Sequence, residues 1–134
     1  MRFLLLALAF LMPLPVLSAS TITCTVQNEA PMPLTMASGW GATTFAGSDG
    51  KFYKDVNGVV RLEGMMYKFT GPAVGEIAFV LPVGYRPAAP QWFIADSQYG
   101  KASLIVHPSG EVQIVVDYGY FTWVSLASIS FRAA

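Results

Sequence analysis

The feature that most constrains this chain is a pair of alternating runs joined by a short turn signal. In Lys101-Ala-Ser-Leu-Ile-Val-His107 the apolar residues Ala102, Leu104 and Val106 occupy every second position. In Glu111-Val-Gln-Ile-Val-Val-Asp117 the residues Val112, Ile114 and Val116 do the same. A period of two marks a strand with one buried face. His107-Pro-Ser-Gly-Glu111 lies between the runs and places Gly110 where a tight turn needs positive φ. The pair therefore predicts an antiparallel hairpin.

A second hairpin is predicted from Phe52-Tyr-Lys-Asp55, the turn Val56-Asn-Gly58 and the run Val59-Val-Arg-Leu-Glu-Gly-Met-Met-Tyr-Lys-Phe69, because Asn-Gly between strand-like runs is the strongest short hairpin cue. Gly64 inside that run predicts a bulge or a close backbone approach. Further strands are predicted at Thr21–Gln27, Gly75–Leu81, Gln91–Asp96 and Phe121–Phe131. Outside the N-terminal segment no window of 11 or more residues carries a helical stripe, so the fold class is all-β: an antiparallel β-sandwich or jelly-roll-like barrel. Asn28–Ala37 holds two prolines with little alternation and reads as an extended linker.

The N-terminus reads as an address. Arg2 precedes an uncharged apolar run, Phe3–Leu17, and then the small residues Ser18-Ala-Ser20. A membrane span needs roughly 20 apolar residues, and Pro13 and Pro15 break the end of this run, so a cleaved secretory signal is the reading. The organisation follows: residues 1–20 a signal peptide, 21–39 an N-terminal strand and Pro-rich linker, 40–134 a single β-sandwich domain. The mature chain is expected to be secreted or extracytoplasmic, with no stable membrane span.

Charge and residue counts narrow the chemistry. The 134 residues carry 8 Lys plus Arg and 8 Asp plus Glu, a formal net charge of +0, which leaves no basic footprint for nucleic acid. One Cys (Cys24) and one His (His107) cannot supply a disulfide framework or a structural zinc site, and no metal or other cofactor is expected. His107 and Ser109 sit on one turn, a geometry unsuited to a nucleophile–base dyad oriented by a carboxylate. No catalytic residue is assigned. A hydrolase reading would require two of Asp96, Glu111 and Asp117 to converge in a cleft.

Aromatic residues carry the remaining signal, at 13% of the chain. Sugars stack their apolar faces on aromatic rings while carboxylates, amides and phenols take their hydroxyls. Asp96-Ser-Gln-Tyr-Gly100 and Asp117-Tyr-Gly-Tyr120 combine these groups in loop-like stretches. The candidate ligand-binding residues are Asp96, Tyr99, Asp117, Tyr118 and Tyr120. Trp123 and Phe131 are expected in the core.

Between Trp40 and Phe131 four stretches occur in order: Tyr53-Lys-Asp-Val-Asn-Gly-Val-Val-Arg-Leu-Glu-Gly64, Ile77-Ala-Phe-Val-Leu-Pro-Val-Gly-Tyr-Arg-Pro87, Val106-His-Pro-Ser-Gly-Glu-Val112 and Trp123-Val-Ser-Leu-Ala-Ser-Ile-Ser-Phe131. The arrangement resembles the receptor-binding head domains of phage tail fibres and baseplate proteins, also met in prophage-derived and collagen-like bacterial surface proteins. The chain differs from the family pattern at Ala127-Ser128, where the family has Asp-Gly. The resemblance implies a β-sandwich or jelly-roll head that acts as a homotrimer and binds a cell-surface saccharide or other surface receptor, with a virion-associated location as the alternative to secretion. The competing reading is an exported bacterial structural, self-assembling β-domain with no glycan ligand.

Overall fold

The computed structural model describes residues 26–41, 49–117 and 122–134. Residues 1–20, the expected signal, residues 21–25 of the first expected strand, and Tyr118, Tyr120 and Phe121 lie outside the described residues. The described residues form ten strands and no helix: β1 (Met32–Pro33), β2 (Lys51–Lys54), β3 (Val59–Glu63), β4 (Met65–Tyr67), β5 (Ile77–Val80), β6 (Gln91–Ser97), β7 (Gly100–Val106), β8 (Glu111–Asp117), β9 (Trp123–Ser125) and β10 (Ser130–Arg132). They build two antiparallel sheets, β1-β2-β3-β10 and β4-β9-β6-β7-β8-β5.

The hairpins follow from the turn chemistry. Asp55 closes the β2–β3 turn by accepting from the Gly58 amide at 2.9 Å and donating to Val59 at 2.9 Å. Its carboxylate accepts from the Asn57 and Val59 amides at 2.9 and 3.0 Å. Those backbone donors, Val59 first, and the Arg61 guanidinium together outweigh the upward pull of desolvation and hold the Asp55 carboxyl below its ordinary value. At the β7–β8 turn Gly110 donates to His107 at 2.8 Å, and His107 donates to Glu111 at 2.9 Å.

Alternation places the core. Val60, Leu62, Ala102, Leu104, Val106, Val112 and Ile114 are buried, and they interleave between the sheets with Phe52, Met66, Phe79, Leu81 and Phe131. Phe93 of β6 meets Phe131 of β10 across the interior, with ring centroids 6.2 Å apart. Burying such side chains contributes about 1.5–3 kcal/mol each. Trp40 is also buried, and its indole Nε1 donates to Glu76 Oε1 at 3.1 Å, so this tryptophan is structural. Glu76 further accepts from Lys68 and from the Ala73 amide. Burial works to raise its carboxyl, but these donors outweigh burial and leave it below the ordinary 4.5.

Three expectations are corrected. Residues 28–37 are extended, but Met32–Pro33 pairs with β2 and Leu34 is buried, so this stretch belongs to the packed body rather than to a linker. Pro33 is tolerated because β1 is an edge strand, where a missing amide costs no ladder bond. Val26 and Gln27 lie outside any strand. Trp123 is half-buried and outside the core cluster, since its neighbour Val124 faces inward and alternation turns Trp123 away.

The third correction concerns two long runs, Val59–Phe69 and Phe121–Phe131, each of which changes sheet midway. Gly64, at φ +80°, separates β3 from β4. Leu126–Ile129 forms a turn, Ile129 N–H to Leu126 O at 3.0 Å, that separates β9 from β10. The two corners are bonded together, Leu126 N–H to Gly64 O at 2.9 Å and Leu62 N–H to Ile129 O at 3.0 Å. A paired ribbon thus leaves one sheet and enters the other. Leu126 and Ile129 are both buried because the turn lies between the sheets.

The Leu81–Pro87 stretch forms a corner pinned by hydrogen bonds. Arg86 Nε donates to Leu81 O at 2.8 Å, and Leu81 N–H donates to Gly110 O at 2.8 Å. Gly110 has φ +92°, and a Cβ there would meet Leu81 O at 2.4 Å. No larger residue fits this position without backbone movement.

Candidate functional site

The turn Ser97–Gly100 projects from one end of the six-stranded sheet, where β6 reverses into β7. Tyr99 stands at its tip with 71% of its surface exposed, and its hydroxyl accepts from Gln98 Nε2 at 3.1 Å. Asp96 lies exposed at the end of β6, beside its cross-strand partner Lys101, with which it forms an ion pair. Such an exposed pair adds little stability, so both groups stay available to a ligand.

Asp117 ends β8 as the cross-strand partner of Ala102, one position from Lys101. Asp96, Tyr99 and Asp117 are therefore brought to one end of one sheet, from two neighbouring hairpin segments. Tyr118 and Tyr120 belong to the segment between Asp117 and Thr122, outside the described residues.

Gln98 ties this end together. Its Oε1 accepts from the Thr122 amide at 3.1 Å and from the Thr122 hydroxyl at 2.6 Å, and its own amide donates to Trp123 O at 3.3 Å. The β6–β7 turn is thereby fixed against the start of β9. Sequence reading does not single out Gln98 or Thr122. Their partnership spans 24 residues and has no local pattern.

Of the candidate acids of the hydrolase reading, Asp96 and Asp117 share one end of the sheet and Glu111 stands apart. Glu111 begins β8 and Asp117 ends it, a separation of roughly 20 Å at 3.4 Å per residue. Glu111 accepts from the Ser109 hydroxyl at 3.0 Å, while His107 Nε2 pairs with Gln113 Oε1 at 3.0 Å. The hydroxyl and the imidazole are thus engaged separately, away from the Tyr99 end. Among the described residues no three His, Cys, Asp or Glu side chains gather to hold a metal ion, and no helix is long and apolar enough to cross a membrane.

The outer face of the six-stranded sheet carries apolar residues farther along β6, away from the Ser97–Gly100 turn. Trp92 and Ile94 on β6 are exposed by 64% and 67%, next to Ile105 of β7, which lies outside the core cluster.

Two antiparallel sheets exchanging a bent ribbon, with an exposed aromatic turn at one end, define an all-β sandwich domain of the kind expected from the motif order. This fold is shared with a solved structure, the receptor binding protein (gp15) of Listeria phage PSA, at a TM-score of 0.63 and 22% sequence identity. The similarity covers 79% of this chain and 66% of that one, just under two thirds of its length. No protein-family description matches the chain, and no curated protein matches it.

Proposed function

We propose that this protein is a non-catalytic receptor-binding module that recognises a cell-surface saccharide and acts as a homotrimer. The observation that carries the reading is the shared fold with a phage receptor binding protein. The Tyr99 turn supports it with an exposed ring, an amide and an ion pair at one accessible end, the combination that recognises a sugar's apolar face and hydroxyl rim. Asp96, Tyr99, Asp117, Tyr118 and Tyr120 are the proposed contacts.

The exposed apolar side chains of Trp92 and Ile94 support contact with further copies of the chain. Three shallow sites on one trimer would gain avidity that a single site lacks. The proposed location is virion-associated or extracytoplasmic, with residues 1–20 as a cleaved signal in the latter case. The same patch favours a second reading, a self-assembling structural domain with no glycan ligand.

Light scattering on the purified chain, coupled to a glycan array, separates the readings. The expected result is a trimer that captures a bacterial surface glycan and loses most of that capture in Tyr99→Ala. A trimer that captures nothing would favour the structural reading, and a monomer that binds nothing would sink the proposal.

A further inference from the structure

A second polar recess lies on the other sheet. A cleft of about 220 Å³ opens on the outer face of the four-stranded sheet, lined by Tyr53, Arg61, Glu63, Ala127 and Ser130 over Leu62 and Ile129. Tyr53 of β2, Arg61 of β3 and Ser130 of β10 are successive cross-strand partners and form one row across the sheet. Glu63 follows Arg61 by two residues on the same strand and so shares its face. The Leu126–Ile129 corner closes one side with the small residue Ala127.

These groups are held ready while their binding atoms stay uncommitted. Arg61 Nε donates to Asp55 Oδ2 at 3.0 Å, and Asp55 is itself fixed by two backbone amides. One edge of the guanidinium is thereby anchored, and among the described residues its Nη groups have no hydrogen-bond partner. The same holds for the Tyr53 hydroxyl, the Glu63 carboxylate and the Ser130 hydroxyl. The row therefore presents an aromatic ring, a donor fork, an acceptor carboxylate and a hydroxyl that can donate or accept.

Charge and size select the ligand class. The two charged lining residues, Arg61 and Glu63, cancel, and Arg61 is further paired with Asp55, so the lining itself carries no net positive charge to attract a phosphate or an acidic sugar. Its volume is below the roughly 300–1,000 Å³ of clefts that enclose drug-sized ligands, which suits one ring rather than an oligomer. We infer that this cleft binds a single neutral pyranose unit, with Tyr53 under the apolar face of the ring and Arg61, Glu63 and Ser130 on its hydroxyls. The site stands on a different sheet from the Tyr99 turn and does not depend on that turn binding anything.

Amide proton–nitrogen NMR spectra of the full chain test this by titration with the methyl glycosides of glucose, galactose and mannose and with N-acetylglucosamine, with glucuronate and glycerol for comparison. At least one neutral sugar is expected to shift the amides of Tyr53, Arg61 and Ser130 saturably. Arg61→Met and the milder Ser130→Ala are expected to weaken that binding, about tenfold or more for Arg61→Met, with dispersed spectra retained, whereas Tyr99→Ala leaves it unchanged. Shifts confined to the Tyr99 end would overturn this cleft while supporting the other site. Shifts produced equally by glycerol, by glucuronate alone, or by no neutral sugar would also overturn it.

Discussion

The two sheets turn opposite surfaces to solvent. The six-stranded sheet exposes the apolar side chains of Trp92 and Ile94 on β6. The four-stranded sheet exposes Tyr53, Arg61, Glu63 and Ser130 around a recess. Water is readily displaced from the first by another apolar surface, whereas the second offers hydrogen bonds to something that is itself hydrated. One body thus carries a surface suited to association and a surface suited to a small polar ligand, and the difference arises from alternate positions of strands whose inward residues are equally apolar.

The largest expected effect strikes both surfaces together. Gly110→Ala places a Cβ against Leu81 O and Arg86 in a backbone conformation at φ +92°. The expected loss is about 2–4 kcal/mol, read from the urea midpoint, with both surfaces weakened in parallel. A change below about 0.5 kcal/mol would mean that the corner relaxes freely.

A more selective break is the double variant Trp92→Ser, Ile94→Ser. Light scattering should show loss of the higher-mass species, while thermal unfolding of the monomer moves by no more than about 0.5 kcal/mol, because both side chains are already exposed. Retained assembly would transfer the association role to another surface.

The smallest effect is acid sensitivity, which acts on the frame rather than on either surface. The carboxyls of Glu76 and Asp55 are both lowered in the folded chain from 4.5 and 3.8. Their stabilisation is present above those ordinary values and is lost as pH falls through the lower folded values. Chemical denaturation between neutral and acid pH should show declining stability below about pH 4.5, with a shallower decline in Glu76→Gln. An identical profile in that variant would remove Glu76 as a contributor.

Much of this frame is legible in the sequence wherever local chemistry dictates it. Asn57-Gly58 and Pro108-Ser109-Gly110 announce their turns, and alternation places Leu104, Val106, Val112 and Ile114 inside. The corners at Gly64 and Leu126–Ile129 are less legible, because a bulge and a passage between sheets shift the period in the same way. The prolines of residues 28–37 disguise an edge strand for a related reason: an edge needs few amides. Of the candidate site, the Tyr99 turn is readable as composition. The Tyr53–Arg61–Ser130 row is not, since it exists only when β10, some seventy residues later, takes its register beside the β2–β3 hairpin.

The bent ribbon also sets the order of assembly. Val60 pairs with Phe131, some seventy residues later, and Met66 pairs with Val124. Among the described residues β9 alone joins β4 to β6, so neither sheet is complete until β9 and β10 have arrived. Closing so long a loop is entropically slow, which places this domain among folds that mature in milliseconds to seconds. During synthesis the earlier hairpins stay unpaired at their edges until β9 and β10 emerge, and it is these two strands that close the sandwich.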